Sequence, residues 1–119
     1  MLVNSSCTLY RWNESKISFD RIYIPQVYWR QTKSGRTRQS GDHSTDGTTV
    51  YLYNCTEPPL SPEKDMLVKG KCSFEFTGGS DSIISSELKQ FRRSTDFVVV
   101  YSIADYMFGN LQHYEIYAE

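Results

Sequence analysis

The last third of the chain constrains the fold most strongly, because elements of different types follow one another there. Residues 84–93 have the apolar spacing of a short amphipathic helix, and residues 97–101 form a β-branched and aromatic run that favours a strand. A turn is predicted at Gly109 and Asn110, followed by a closing strand over residues 112–117. This order predicts a small β-rich domain with one helix and no catalytic centre, whose function would come from surfaces, loops and assembly.

Four segments upstream also favour strands. Residues 8–12 and 21–29 form the first two, and Pro25 favours a strand edge or a bulge because proline donates no backbone hydrogen bond. Residues 49–54 and 66–76 form the next two, each with alternating side chains. The second strand is expected to place three apolar side chains on one face, namely Ile22, Ile24 and Tyr28.

Length and composition predict a single domain over residues 1–119. The chain has nine tyrosines, six phenylalanines and two tryptophans, and such residues suit a pleated, half-buried surface. Several short strands with one helix favour a small SH3-like or OB-like β-barrel. The formal net charge of −1 argues against a globally basic protein that coats DNA.

A long polar loop is predicted over residues 30–48, which contain no aliphatic or aromatic residue. Its first half is basic and its second half acidic, with the charged residues Arg30, Lys33, Arg36, Arg38, Asp42 and Asp46. One interpretation is a solvated, mobile hairpin tip, and the other is an insertion that becomes ordered on meeting a partner. The basic half would contact phosphates without reading sequence.

Few residues are candidates for catalysis or metal binding, and we predict no catalytic residue, no cofactor and no metal. His43 lies in the polar loop and His113 in a predicted strand, and neither is placed beside a nucleophile. Asp42, His43 and Asp46 could share a cation, but their spacing matches no defined metal-binding loop. A solvated polar loop is therefore favoured.

Cysteine spacing and hydropathy indicate in which cellular compartment the protein is expected. The three cysteines contain no Cys-x-x-Cys pair, which predicts free thiols in a reducing compartment. No apolar run approaches the roughly 20 residues needed to span a bilayer.

Four tyrosines near the end of the chain could form an aromatic platform that stacks bases, namely Tyr101, Tyr106, Tyr114 and Tyr117. A barrel of this size must also fill its core with large side chains. Core and interface roles are therefore favoured for most of them.

The chain resembles the small structural proteins encoded in the morphogenesis clusters of tailed bacteriophages and prophages of Gram-positive bacteria, near the head–tail connector. The resemblance runs through Thr8-Leu9-Tyr10, residues 24–29, Val50-Tyr51-Leu52-Tyr53, Asp65-Met66-Leu67-Val68-Lys69-Gly70, Glu87-Leu88, residues 98–105 and Gly109-x-x-x-His113-Tyr114-Glu115-Ile116. It implies a head-completion or stopper-like neck protein, a minor capsid component that forms an oligomeric ring beneath the portal and adaptor.

In that family a long internal loop projects towards the central channel, where it can hold packaged double-stranded DNA. By position, Lys33, Arg36 and Arg38 would face the channel. A ring also needs aromatic anchors between subunits, for which the candidates are Tyr23, Tyr51, Tyr53 and Tyr117. The implied partners are further copies of the chain, the portal or adaptor and the tail proteins, with no membrane. The implied localisation is the virion, assembled in the bacterial host cytoplasm.

Two alternatives remain open. One is a free-standing nucleic-acid-binding β-barrel, which would bind single strands as a monomer in a salt-sensitive way. The other is a tail-terminator ring protein, which also uses small β-rich subunits.

Overall fold

The computed structural model of the protein describes residues 3–32, 47–53, 55, 57–106 and 112–119. The elements within them are β1 Ser5–Asn13, β2 Ser18–Thr32, β3 Gly47–Tyr53, β4 Met66–Lys69, α1 Asp81–Ser94, β5 Val98–Tyr106 and β6 His113–Ala118. The strands pair antiparallel in the cyclic order β1-β2-β3-β6-β5-β4, which closes a barrel. The predicted fold class, a small mainly-β barrel with one short helix, is confirmed.

Two of the predicted features lie mostly or wholly outside the described residues. The greater part of the polar loop does so, including Lys33, Arg36 and Arg38 and the residues Asp42, His43 and Asp46. The turn at Gly109 and Asn110 also does. Contact of the loop cations with DNA therefore stays a prediction.

The barrel interior is filled by aliphatic side chains, one cysteine and one tryptophan. They come from every strand, as alternation along a barrel strand requires: Cys7, Leu9, Ile24, Val27, Trp29, Val50, Leu52, Leu67, Val100 and Ile116. Leu9, Leu52 and Leu67 are fully buried. Each such side chain stabilises the fold by about 1.5–3 kcal/mol relative to an exposed one. Val50 and Leu52 point into this interior, and Tyr51 between them points away from it.

A β-bulge in β2 changes which side chains face the interior. Ser5 pairs with Val27 but Cys7 pairs with Ile24, so β2 has one residue more than β1 over this stretch, beside Pro25. Of the two alternatives predicted for Pro25, a strand edge or a bulge, the bulge is confirmed. The predicted common face of Ile22, Ile24 and Tyr28 is wrong, because the extra residue turns Val27 inwards and Tyr28 outwards.

A second apolar cluster lies outside the barrel, between its wall and α1. Its buried members are Tyr10, Phe19, Met66, Val68, Ile84 and Phe91, and partly buried side chains pack around them. Phe91 is fully buried, and its ring centroid lies 4.9 Å from that of Tyr10 and 5.0 Å from that of Phe74. The predicted apolar stripe of α1, formed by Ile84, Leu88 and Phe91, is the side that packs on the barrel.

The strand predicted over residues 66–76 is shorter than expected. β4 ends at Lys69, and Gly70 follows with a φ of 85°, a left-handed conformation that glycine adopts without strain. Residues 71–77 still alternate, but they belong to no strand. Alternation shows which side of a segment is buried, and it does not show whether the neighbour offers backbone or side-chain partners.

Side chains of β1 hold this segment on the outside of the barrel. The hydroxyl of Thr8 donates to the carbonyl of Gly70 at 2.8 Å and accepts from the backbone N–H of Cys72 at 2.9 Å. The hydroxyl of Tyr10 donates to the carbonyl of Phe74 at 2.7 Å. The buried hydroxyls are thus satisfied by the docked segment, which keeps the second cluster in place.

The turn before α1 is fixed by Gly78 and Glu87. Gly78 has a φ of 59°, and a Cβ there would collide with the backbone of Ile17. Glu87 accepts the backbone N–H groups of Thr77 and Gly78, each at 2.8 Å, and the hydroxyl of Thr77 at 2.9 Å. Partial burial opposes ionisation of Glu87, but these hydrogen bonds outweigh it and lower the pKa of the carboxyl group.

Asp65, immediately before β4, is fully buried and joins three parts of the chain. Its carboxylate accepts the backbone N–H of Trp12 at 2.8 Å, of Leu60 at 2.7 Å and of Ser61 at 2.9 Å. Its carbonyl accepts the N–H of Val100 at 2.9 Å. One residue therefore ties β1, the 60–61 segment and β5 together where the barrel closes.

We expect Asp65→Ala to lower the free energy of unfolding by about 4 kcal/mol, because three buried N–H groups lose a charged acceptor. Asp65→Asn should cost about 2 kcal/mol, because its NH2 group must face at least one backbone N–H donor. Urea unfolding followed by circular dichroism measures both. Asp96→Asn, an exposed carboxylate change, is the control. Equal stability of Asp65→Ala and wild type would contradict the assigned role.

Glu87 should make stability depend on pH in the acidic range. The folded-state pKa of Glu87 lies below its ordinary value of 4.5, so its hydrogen bonds stabilise the fold above pH 4.5 and are lost as the pH falls through the folded-state pKa. Glu87→Gln should cost about 1 kcal/mol at neutral pH, with the difference vanishing in acid. Thermal unfolding over a pH series tests this, and a difference that persists in acid would contradict it.

Candidate functional site

The outer side of four neighbouring strands carries an unusual concentration of aromatic side chains. We call this surface the tyrosine face, and it consists of Tyr28, Tyr51, Tyr53, Tyr106, His113, Glu115 and Tyr117. The register brings them together: Tyr51 pairs with both Tyr28 and Glu115, and His113 pairs with Tyr53. Because side chains alternate along a strand, the residues between them fill the barrel interior.

His113 lies at the centre of the tyrosine face. Its ring stacks on Tyr106 with centroids 5.1 Å apart and an interplanar angle of 15°. The rings of Tyr51 and Tyr53 lie 5.5 Å and 5.9 Å from it, and Tyr28 continues the row at 5.6 Å from Tyr51. These spacings are those of interacting aromatic pairs, so each ring restrains its neighbours.

Glu115 places a carboxylate among these rings. Its side chain is 19% exposed and accepts a hydrogen bond from the hydroxyl of Tyr117 at 2.6 Å. The Nε2 atom of His113 lies 3.4 Å from its other oxygen. The hydrogen bond to Glu115, reinforced by burial and the negative charge, raises the pKa of Tyr117 to about 12.

This arrangement suits recognition of a protein surface. Tyrosine rings offer large contact areas with few rotatable bonds, and their hydroxyls pair with polar groups at the rim of a contact. A carboxylate in the middle of the surface would repel the phosphates of a nucleic acid. The same carboxylate would attract an ammonium or guanidinium group.

The structure brings together three of the four tyrosines predicted to lie at a subunit interface. Tyr51 and Tyr117 are half-buried members of the tyrosine face, and Tyr53 belongs to it but is only 6% exposed. Tyr23 lies elsewhere, on β2 beyond the bulge, where the ammonium group of Lys71 sits 5.6 Å above its ring. Tyr23 is 47% exposed, so it is an accessible tyrosine outside the face.

The predicted aromatic platform is divided by the structure. Tyr106 and Tyr117 lie on the tyrosine face, whereas Tyr114 packs against the interior cluster. Tyr101 is 51% exposed beside the register shift in β5. These four side chains therefore do not form one stacking surface.

Sequence reasoning missed Tyr28, His113 and Glu115 as members of the site. The alternation of β6 does contain a signal, since it places His113, Glu115 and Tyr117 on one side of the strand. Their meeting with β3 depends on register across a long sequence separation, and Tyr28 joins them only because of the bulge.

Other places in the described residues offer less chemistry. Cavities of about 270 and 260 Å³ lie beside the β2 bulge and between α1 and the barrel wall. Burial, followed by the nearby Cys55 thiol, raises the pKa of Cys7 to about 12, and burial also raises the pKa of Cys55, so both are weak nucleophiles at neutral pH.

The part of the chain that the structure describes contains no cluster of three or more His, Cys, Asp or Glu residues placed to hold a metal ion. None of its helices has the length and apolar character needed to cross a membrane.

Comparison with known proteins places the chain in a family without assigning it a role. The model of DUF6751, a family of unknown function, matches residues 2–119, and the chain therefore belongs to that family. No curated protein and no solved structure matches the chain.

The Tyr117–Glu115 hydrogen bond should be visible in an alkaline titration. Because the folded-state pKa of Tyr117 is about 12 against an ordinary 10, its contribution to stability is present below pH 10 and is lost between about pH 10 and about pH 12. In Glu115→Gln, one tyrosine should ionise earlier in a spectrophotometric titration than in wild type. Tyr117→Phe should remove the same late-ionising group, and identical curves for all three proteins would contradict the assignment.

Proposed function

We propose that this member of DUF6751 is a structural protein of the neck of a tailed bacteriophage or prophage, where its copies form a ring at the head–tail interface. There the ring helps to close the head and to retain or pass the packaged DNA, in contact with the portal or adaptor and with tail proteins. The observation that supports the proposal is the tyrosine face on the outside of a closed barrel.

A closed barrel restricts how such a protein can associate. Each of the six described strands pairs with a neighbour on both sides over at least part of its length, so none of them is an open edge throughout. The surface of β3 and β6, which pair along their lengths, is therefore available to a partner through its side chains. Tyrosine is among the residues enriched at the energetic centres of protein interfaces, and the tyrosine face supplies several of them on one surface.

The charge of the tyrosine face favours a protein partner over a nucleic acid. Glu115 lies within it, while the chain as a whole has a net charge of −1. Proteins that track single strands combine aromatic rings with a positively charged groove. The face has the rings, but the carboxylate of Glu115 lies among them, and the exposed Arg30, two residues from Tyr28, lies at the border of the face.

The tail-terminator alternative uses the same kind of assembly. It differs from the proposal in where the ring lies in the particle and which proteins it touches. The chemistry of the face supports ring formation in either place, and the resemblance to head-completion proteins favours the neck.

Assembly through the tyrosine face can be tested on the purified protein. We expect native mass spectrometry and light scattering to show a closed oligomer for wild type. Tyr51→Ala combined with Tyr117→Ala should weaken association by at least about tenfold, because aromatic anchors at an interface centre are typically worth more than 1 kcal/mol each. Tyr23→Ala, an exposed tyrosine outside the face, is the matched control and should assemble like wild type.

The place of the ring is tested by quantitative mass spectrometry of purified, DNA-filled particles, scaled to the major capsid protein. A small, ring-sized copy number is expected. Absence from clean particles would overturn the neck proposal, and salt-sensitive binding of single strands by a monomeric wild type would favour the nucleic-acid-binding alternative.

A further inference from the structure

We infer that the subunit contact is head-to-tail: the tyrosine face of one copy receives the exposed side of α1 of the next copy, with Glu115 facing the basic end of that helix. This inference rests on the proposed function and names the two surfaces that it requires. The partner it commits to is a second copy of the chain.

The first observation is that the two surfaces lie on opposite sides of the barrel. α1 packs over β1 and β4, through Tyr10, Met66 and Val68. The tyrosine face is centred on β3 and β6. In the cyclic order β1-β2-β3-β6-β5-β4, β3 lies three strands from β4, and β6 lies three strands from β1. Two different surfaces that meet in this way make a heterologous contact, which closes into a ring when the rotation allows it.

The second observation is that the charges of the two surfaces are complementary. The last turns of α1 carry Lys89, Arg92 and Arg93, all exposed. Within the described part of the chain none of these three cations has an ion-pair partner. The opposite side of the molecule presents Glu115 among tyrosines. A guanidinium group can pair with the carboxylate while its flat face stacks on an aromatic ring.

The third observation is the shape of the helix side. Ser82, Ser86, Lys89 and Arg93 follow one another at helical spacing on the side away from Phe91. The serines in the first half of α1 have small side chains, so the flat aromatic surface of a neighbouring subunit can approach closely there. The cations follow in the second half of the helix. Beside the helix, Leu88 and Arg92 border the cavity of about 260 Å³ against the barrel wall, which can receive a projecting aromatic ring.

The experiment uses two variants that each disable one surface. Glu115→Arg places a cation where the inference needs a carboxylate, and Arg92→Glu with Arg93→Glu reverses the charge of the helix end. Each variant alone should lose at least about tenfold in self-association, because like charges would meet at every contact. Circular dichroism and thermal unfolding establish that both variants are folded.

Mixing the two variants in equal amounts should restore association, because every contact between unlike variants joins opposite charges. The intact helix end of Glu115→Arg meets the intact Glu115 of the other variant, and the introduced arginine meets the introduced glutamates, which yields assemblies with equal numbers of the two variants in native mass spectrometry. Lys71→Glu, an exposed charge reversal outside both surfaces, should leave wild-type assembly unchanged.

Other arrangements give different results. If two tyrosine faces pair with each other, the helix variant will still dimerise alone, which overturns the head-to-tail inference. If wild type assembles but the mixture stays monomeric, the inference also fails while the ring proposal stands. If wild type is monomeric and absent from particles, the proposed function itself fails and the inference fails with it.

Discussion

The buried carboxylate of Asp65 is the constraint on which the rest of the structure depends. β4 is only four residues long and meets β5 through two residue pairs, so the barrel closes at a short and weak seam. Asp65 compensates for this by accepting backbone N–H groups from β1 and from residues 60 and 61, while Val100 donates to its carbonyl. A charge buried in this way is stable only because each donor is aimed at it. Closure of the barrel in turn leaves β3 and β6 paired on both sides, so their outer surface binds a partner through side chains.

The outer apolar cluster divides the outside of the barrel into a covered side and an open side. The interior cluster fills the barrel and does not involve the helix. The outer cluster holds α1 and residues 71–77 over β1 and β4. Hydroxyls of Thr8 and Tyr10 bind the covering segment, and Glu87 fixes the turn into the helix. The helix therefore cannot also cover β3 and β6, and it is this uneven covering that leaves the tyrosine face and the basic helix end on opposite sides.

Local pattern was sufficient to predict the strands, the helix and the mainly-β class, because period-two and helical spacing are properties of short segments. It failed where the outcome depends on partners distant in sequence. The run 66–76 alternates throughout, yet only Met66–Lys69 finds backbone partners and the remainder is held by side chains. Tyr28 was placed on the wrong side because the bulge shifts the register by one residue. The tyrosine face was predicted only in part, since His113 and Glu115 reach Tyr51 through pairing of strands some 60 residues apart.

Glu115 determines what kind of partner the tyrosine face can accept. In the free protein Tyr117 donates to it and His113 lies beside it, so the carboxylate is partly satisfied within its own surface. An apolar partner that covered this carboxylate would remove the water molecules that still hydrate it and would offer no hydrogen bonds in their place. For a buried ion this costs several kcal/mol. Covering it with a phosphate would add repulsion. A cation removes both costs, and the surrounding rings favour a planar one that can stack on them. The rings therefore provide contact area, while the single carboxylate provides the specificity that separates an arginine-bearing neighbour from other surfaces.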